Sequence, residues 1–277
     1  MQRLLGLHHL TLKELDPLAF IDVAAEAGYD QLSLFTNAPH VPQAGREGKF
    51  VYPTVTPRMV PEVKARLDAH GLKVVSAEFF LMTPEVDLAA YDPGLATGSA
   101  LGAAHVMTHI FDTEQARAVA TLGAFCDLAA SHGLKVAIEF CSLTPGCRSI
   151  RQAAWFVDQV GMPNLGFSVC PMHLTRSGGT AQDVAGLDAH YILNGQINDG
   201  RGLHASSDYF AEVHDRELPG DGDFPLHEIL SALPAATPIE VKIPYERRKE
   251  TGVSALAFAR EAFARSRPLV DALQPRR

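Results

Sequence analysis

A chain of 277 residues is long enough for one barrel-sized domain or two small ones, and a hydrophobic fraction of 47% against 20% charged residues excludes a disordered chain. A formal net charge of −8 argues against a dedicated nucleic-acid binder, which needs a positive face to displace counterions from phosphates. No apolar run approaches the roughly 20 residues that span a bilayer, and Leu4 to Leu7 is too short for a signal-peptide core, so a cytoplasmic protein with no membrane partner is expected.

The first apolar run, Leu4 to Leu10, is followed by Pro17 to Ala27, where Leu18, Ile21 and Ala25 share one helical face. Asp16 supplies the cap of that helix, Pro17 its first turn and Gly28 its stop. A strand pattern at Gln31 to Phe35 leads into a long connection from Thr36 to Pro57. Further strand patterns stand at Lys73 to Met82 and His105 to Phe111. Thr113 precedes a helical stretch from Glu114 to Ser131 that Gly133 ends, and the next strand is Lys135 to Cys141. Ser149 precedes a helix ending near Gly161, ahead of strands at Leu165 to Cys170 and Ile192 to Asp199. A second long connection, Gly200 to Phe224, comes before the last strand, Ile239 to Pro244.

Eight strand patterns alternating with helical ones predict parallel βα units, and that count favours closure into a single (β/α)8 TIM barrel over residues 1–277. No Gly-x-Gly-x-x-Gly opens the first unit, which removes the main argument for an open dinucleotide-binding sheet. Both long connections follow strand C-termini, the catalytic end of such a barrel, where long loops serve as lids or binding loops. Cys126, Cys141, Cys147 and Cys170 lack the two-residue spacing of zinc or redox pairs and are expected to be free thiols.

Four strands and their exits carry chemistry. Glu139 is one carboxylate in the apolar fifth strand, where burial demands a partner, a metal or a proton. In the eighth strand the two-residue period puts Glu240 and Lys242 on one face, inside the barrel if the apolar set faces the helices; a layer of internal ion pairs is the structural alternative. The sixth strand leaves through Cys170, Pro171, Met172, His173, Leu174, Thr175, Arg176 and the pair Gly178 and Gly179, which predicts His173 and Arg176 on a loop above the barrel. Gln196 and Asp199 end the seventh strand, and Arg216 opens a glycine-rich loop in which it could clamp a carboxylate, phosphate or enolate oxygen or stand solvated.

From Lys135 to Tyr245 these exits resemble the xylose isomerase-like TIM barrels, the sugar phosphate isomerases and epimerases. The resemblance rests on the Pro-x-His and Arg-Ser-Gly-Gly elements after strand six, Gln196-x-x-Asp199, Arg216-x-Leu-Pro-Gly-x-Gly and the Pro-bounded eighth strand. It implies one divalent cation held by a Glu on strand five, an Asp on strand six, a His or Gln on strand seven and a Glu on strand eight. Glu139 and Gln196 match, Cys170 stands for the Asp and Lys242 for the Glu; Glu240 could serve only with a two-residue shift. Hard cations prefer oxygen, so loss of the metal is expected, with Lys242 taking its electrostatic place. A Mn, Mg or Zn site built on Glu139, Gln196 and Glu240 is the alternative.

The resemblance implies chemistry next to a carbonyl of a small molecule: isomerisation, epimerisation or elimination. Glu139 is then the expected base, Lys242 or a metal the electrophile and His173 the proton donor, while Arg176, Gln196, Asp199, Arg216 and Cys170 contact the substrate. Phe35, Phe79, Phe80, Phe111 and Phe140, near strand ends, suggest a substrate less polar than a free sugar, unless they are core. A non-catalytic binding barrel and a Schiff-base lyase using Lys242 are the competing readings, and association of copies into a homo-oligomer is left open.

Overall fold

Alternation of β-branched and aromatic residues with capped amphipathic stretches produces parallel strands that hydrogen-bond in sequence order: β1 (Leu5–His8), β2 (Gln31–Phe35), β3 (Lys73–Met82), β4 (His105–Ile110), β5 (Lys135–Glu139), β6 (Leu165–Val169), β7 (Ile192–Ile197) and β8 (Ile239–Val241). β8 pairs back onto β1, with Gly6 opposite Glu240, so the sheet closes as a TIM barrel with helices around it and no unpaired edge. The computed structural model of the chain describes residues 3–38, 52–204 and 208–273. Most of the long connection expected at Thr36 to Pro57 therefore lies outside the described residues. No helix among them is long and apolar enough to cross a membrane.

Helix starts follow side-chain chemistry. Asp16 accepts the N–H groups of Leu18 and Ala19, and Gly28 ends that helix at φ 94°. Ser149 caps Ile150–Val160 as expected. The helix expected to follow Thr113 starts one residue later, at Gln115, because Glu114 folds its own carboxylate back onto the N–H groups of Ala116 and Arg117. A carboxylate at that end also meets the positive pole of the helix.

Several strands are shorter than their apolar runs, for identifiable local reasons. β1 stops at His8 because Nδ1 of that residue accepts the N–H of Leu10 and winds the chain into a 3-10 turn, His9–Leu12. β6 stops at Val169 because Cys170 and Pro171 begin a helix, Pro171–Arg176; His173 and Arg176 thus stand on a helix rather than on the expected loop. The connection from Gly200 to Phe224 is tied back by a helix, Tyr209–His214, and by an antiparallel bridge between Asp199 and Glu217.

Apolar side chains such as Leu5, Leu32, Ile138, Phe167 and Val241 fill the layer between strands and helices. Alternation then sends the opposite set inward, and that set is polar: Ser33, Glu78, Glu139, Gln196, Glu240 and Lys242 are all buried. Gly6 makes room for them. A Cβ there would meet Gln31 Cγ at 3.1 Å and Glu240 Cβ at 3.2 Å.

Candidate active site

Lys242 follows the last residue of β8, and Glu139 ends β5 on the far side of the barrel. Nζ donates to both Glu139 oxygens, at 2.8 and 2.7 Å, with the two side chains only 5% and 2% exposed. His109 Nε2 lies 3.2 Å from the other face of the same carboxylate and His173 Nε2 lies 3.8 Å from it. Burial pushes the Glu139 carboxyl up, but Lys242, with His109 and His173 behind it, more than offsets this and holds it well below the usual carboxylate range. Burial lowers Lys242, and Glu139 with Glu78 reverses that, so its pKa ends above the ordinary lysine value. Both partners are charged.

A second carboxylate faces the same space from β3. Glu78 accepts from Ser76 Oγ at 2.6 Å, and its Oε2 lies 3.3 Å from His8 Nε2 without full hydrogen-bond alignment. His8 Nδ1 already accepts from the Leu10 N–H, so the neutral ring carries its proton on Nε2; burial, then Lys242, pushes its pKa down to about 3. Burial, opposed by Lys242 and assisted by Glu139, pushes Glu78 up to about 7. Glu240 sits deeper: Ser33 Oγ, Asn194 Nδ2 at 2.8 Å and Gln196 Nε2 at 3.3 Å all donate to it, and burial raises its pKa.

Above these groups a cavity opens to solvent at the C-terminal ends of the strands. Glu78, Glu139, Lys242, His109, His173 and Arg216 make its polar part, and Phe35, Tyr52, Phe79, Phe111 and Leu143 its apolar wall. Of the five phenylalanines singled out in the sequence, Phe80 and Phe140 instead pack in the helix-side core.

Of the residues expected to hold substrate, only Arg216 lines this cavity. The Arg176 guanidinium is taken up by Glu212, with Nε 2.9 and 3.0 Å from its two oxygens, and by the carbonyls of Gly202 and Arg201. Asp199 accepts the N–H groups of Gly200, Gly220, Gly222 and Phe224, which makes it the clasp of the loop after β7. Gln196 turns to Glu240. Cys170 Sγ accepts from Asn198 Nδ2 at 3.2 Å and Arg216 Nη1 at 3.8 Å. All four cysteines are buried, and none forms a disulfide among the described residues.

Among the described residues, two groups of side chains bring donor atoms within 4.8 Å of one another: Glu139, Cys170 and His173, and His8, Glu78 and Glu240. Neither suits a divalent cation. The first has the Lys242 ammonium on the carboxylate and a guanidinium N–H on the sulfur. In the second, His8 Nε2 carries a proton as long as Nδ1 accepts from Leu10, and Glu240 already accepts from three donors. Nor do Glu139, Gln196 and Glu240 converge: Gln196 donates to Glu240 while Glu139 is held by Lys242.

Glu78 and His109 escape the sequence reasoning. Glu78 carries the signal that marks Glu139, a lone carboxylate in an apolar run; His109 is hidden by its place in an ordinary alternating strand, His105–Ile110.

The sequence matches a family profile described as xylose isomerase-like TIM barrel over residues 21–262. No curated protein matches it. Among solved structures it is similar in fold to the IolI protein with a binding zinc atom, at a TM-score of 0.78 and 17% identity over 99% of each chain. It is similar also to D-psicose 3-epimerase with D-tagatose from Clostridium cellulolyticum H10, at 0.71 and 15% over 98% of this chain and 100% of that one. The probable 3-DHS dehydratase AsbF from Bacillus anthracis aligns at 0.72 and 14% over 95% and 99%. Identities this low carry the fold alone.

Proposed function

The chain belongs to the xylose isomerase-like TIM barrel family, and from that premise we propose that it is an isomerase, epimerase or dehydratase-type lyase that moves a proton next to a carbonyl of a small molecule. One observation carries the reading: a buried, charged Lys242–Glu139 pair stands in the same cavity as a second carboxylate, Glu78, whose pKa lies near neutrality. The sequence puts the base at Glu139. A carboxylate held well below its usual pKa is a weak base, whereas proton transfer is best served by a group that titrates near the working pH. The roles therefore divide.

Glu78 removes the proton α to the carbonyl. Lys242, kept charged by Glu139, faces the carbonyl oxygen and stabilises the negative charge that arrives there. Glu78 then returns the proton to the neighbouring carbon in an isomerisation, or passes it to a departing β-hydroxyl, which leaves as water, in an elimination. Covalent Schiff-base chemistry needs Lys242 as a free amine, and Glu139 shifts it the other way.

The test is wash-out of α-hydrogens in D2O, followed by proton NMR on D-fructose, D-tagatose and a set of β-hydroxy ketones and 2-oxo acids. Exchange on at least one probe is expected, rising as pH climbs through about 7 because a base must be ionised, and falling about 10²-fold or more in Glu78→Gln. Undiminished exchange in that variant removes Glu78 from the mechanism. Binding without exchange on every probe supports a non-catalytic barrel.

A further inference from the structure

Resting on that reading of the cavity, we infer that its substrate is a monoanionic carboxylate on an apolar or unsaturated body, seated with its carboxylate on Arg216 and its body on the aromatic wall. Arg216 is only 4% exposed. Its Nε donates to the Val213 carbonyl at 3.2 Å, and its Nη1 to the Lys242 carbonyl at 3.1 Å and the Cys170 sulfur at 3.8 Å. No carboxylate among the described residues forms an ion pair with it, whereas Lys242 has Glu139 and Arg176 has Glu212. A guanidinium this deeply buried is costly without a counter-charge, and its position on the cavity lining lets a ligand bring one. Carbonyl and thiol contacts fix its orientation in advance, which lowers the entropy lost on binding.

Arg216, the cavity cation with no carboxylate in contact among the described residues, asks for one negative charge. The planar guanidinium matches a carboxylate through paired N–H bonds, and the second charge of a phosphate would find no further free cation, because Lys242 is already neutralised. The remainder of the cavity sets the rest of the ligand. Polar groups gather at the floor, while Phe35, Tyr52, Phe79, Phe111, Leu10 and Leu143 line the sides. Tyr52 and Phe79 meet edge to face with centroids 5.3 Å apart, and Phe35 lies 4.9 Å from Tyr52. Hydroxyls of a free sugar turned toward that wall would lose water without gaining partners; a ring or branched chain would lose nothing.

Calorimetric titration of the full-length protein at neutral pH tests this with benzoate and phenylpyruvate against benzamide, phenyl phosphate, D-fructose and D-tagatose. The two carboxylates are expected to bind at least about tenfold more tightly than the amide, the phosphate and the sugars, and Arg216→Gln to weaken them by about tenfold or more. The comparison of benzoate with benzamide needs no variant, so it stands even if Arg216→Gln folds poorly. Equal affinity for acid and amide, tighter binding of the phosphate, or tighter binding of the sugars overturns the inference. Carboxylate binding without α-hydrogen exchange would leave the ligand class intact and defeat the catalytic reading. Exchange on sugars alone would do the reverse.

Discussion

Lys242 carries its ammonium into the barrel because Glu139 is there to meet it, and neither side chain has water to fall back on. Removing one partner leaves the other buried and unbalanced. Lys242→Met should therefore lower unfolding free energy by on the order of 3 kcal/mol in urea titrations, and adding Glu139→Gln should recover much of that loss. A single-variant effect below about 1 kcal/mol would mean the pair is solvated. Glu78 behaves oppositely with pH. Its folded pKa, about 7, lies above the ordinary carboxylate value, so its contribution to stability is complete below about pH 4 and is lost as pH rises through 7. Glu78→Gln removes that loss, so relative to wild type it should gain about 3 kcal/mol between pH 4.5 and pH 8, measured by the same titrations. A variant whose stability difference does not change with pH would place Glu78 in water. The aliphatic context of Glu139 and the two-residue period at Glu240 and Lys242 made these side chains legible as inward charges. Which of them pair depends on contacts across the barrel, between residues about a hundred positions apart.

At the scale of elements, the loop after β7 shows how two side chains can organise a long connection. Asp199 gathers four backbone N–H groups, and Arg176, stacked over Phe224 at 4.8 Å, reaches from the helix after β6 to Glu212 and two loop carbonyls. Without these anchors the polar backbone would have to find water instead. Asp199→Ala should raise amide hydrogen exchange across residues 200–224 while leaving β1 through β6 protected, with a stability cost of about 2 kcal/mol. Unchanged exchange in that segment would show that the bridge between Asp199 and Glu217 suffices by itself. Helix limits were legible because caps are local: Asp16, Gly28, Ser149 and Gly161 act within a few residues of themselves. Thr113 misled because Glu114 competes for the same orphan N–H groups and wins with a longer, charged side chain. Strand ends were the least legible, since Cys170-Pro171 and the His8 turn break pairing at points an apolar run does not mark.

At the scale of the whole molecule, both groups of donor atoms among the described residues that could gather a metal are engaged by the protein's own cations and hydrogen-bond donors. Dialysis against a chelator should leave the melting temperature and any α-hydrogen exchange unchanged; recovery of lost activity by Mn, Mg or Zn would show that Lys242 yields its place to an ion. The amino-acid sequence by itself determined the closed barrel and its helices, because hydrophobic period, caps and the count of eight units are local properties repeated along the chain. It also marked the strand ends at which polar groups would gather. Only the tertiary structure decided which of those groups share the cavity. Arg176 and Asp199 are drawn into the loop after β7, Gln196 faces downward to Glu240, and Glu78 and His109 join Glu139 and Lys242. The physical reason is that side-chain direction follows from the strand period, whereas a partner's identity depends on strand stagger and on loops that fold back from elsewhere.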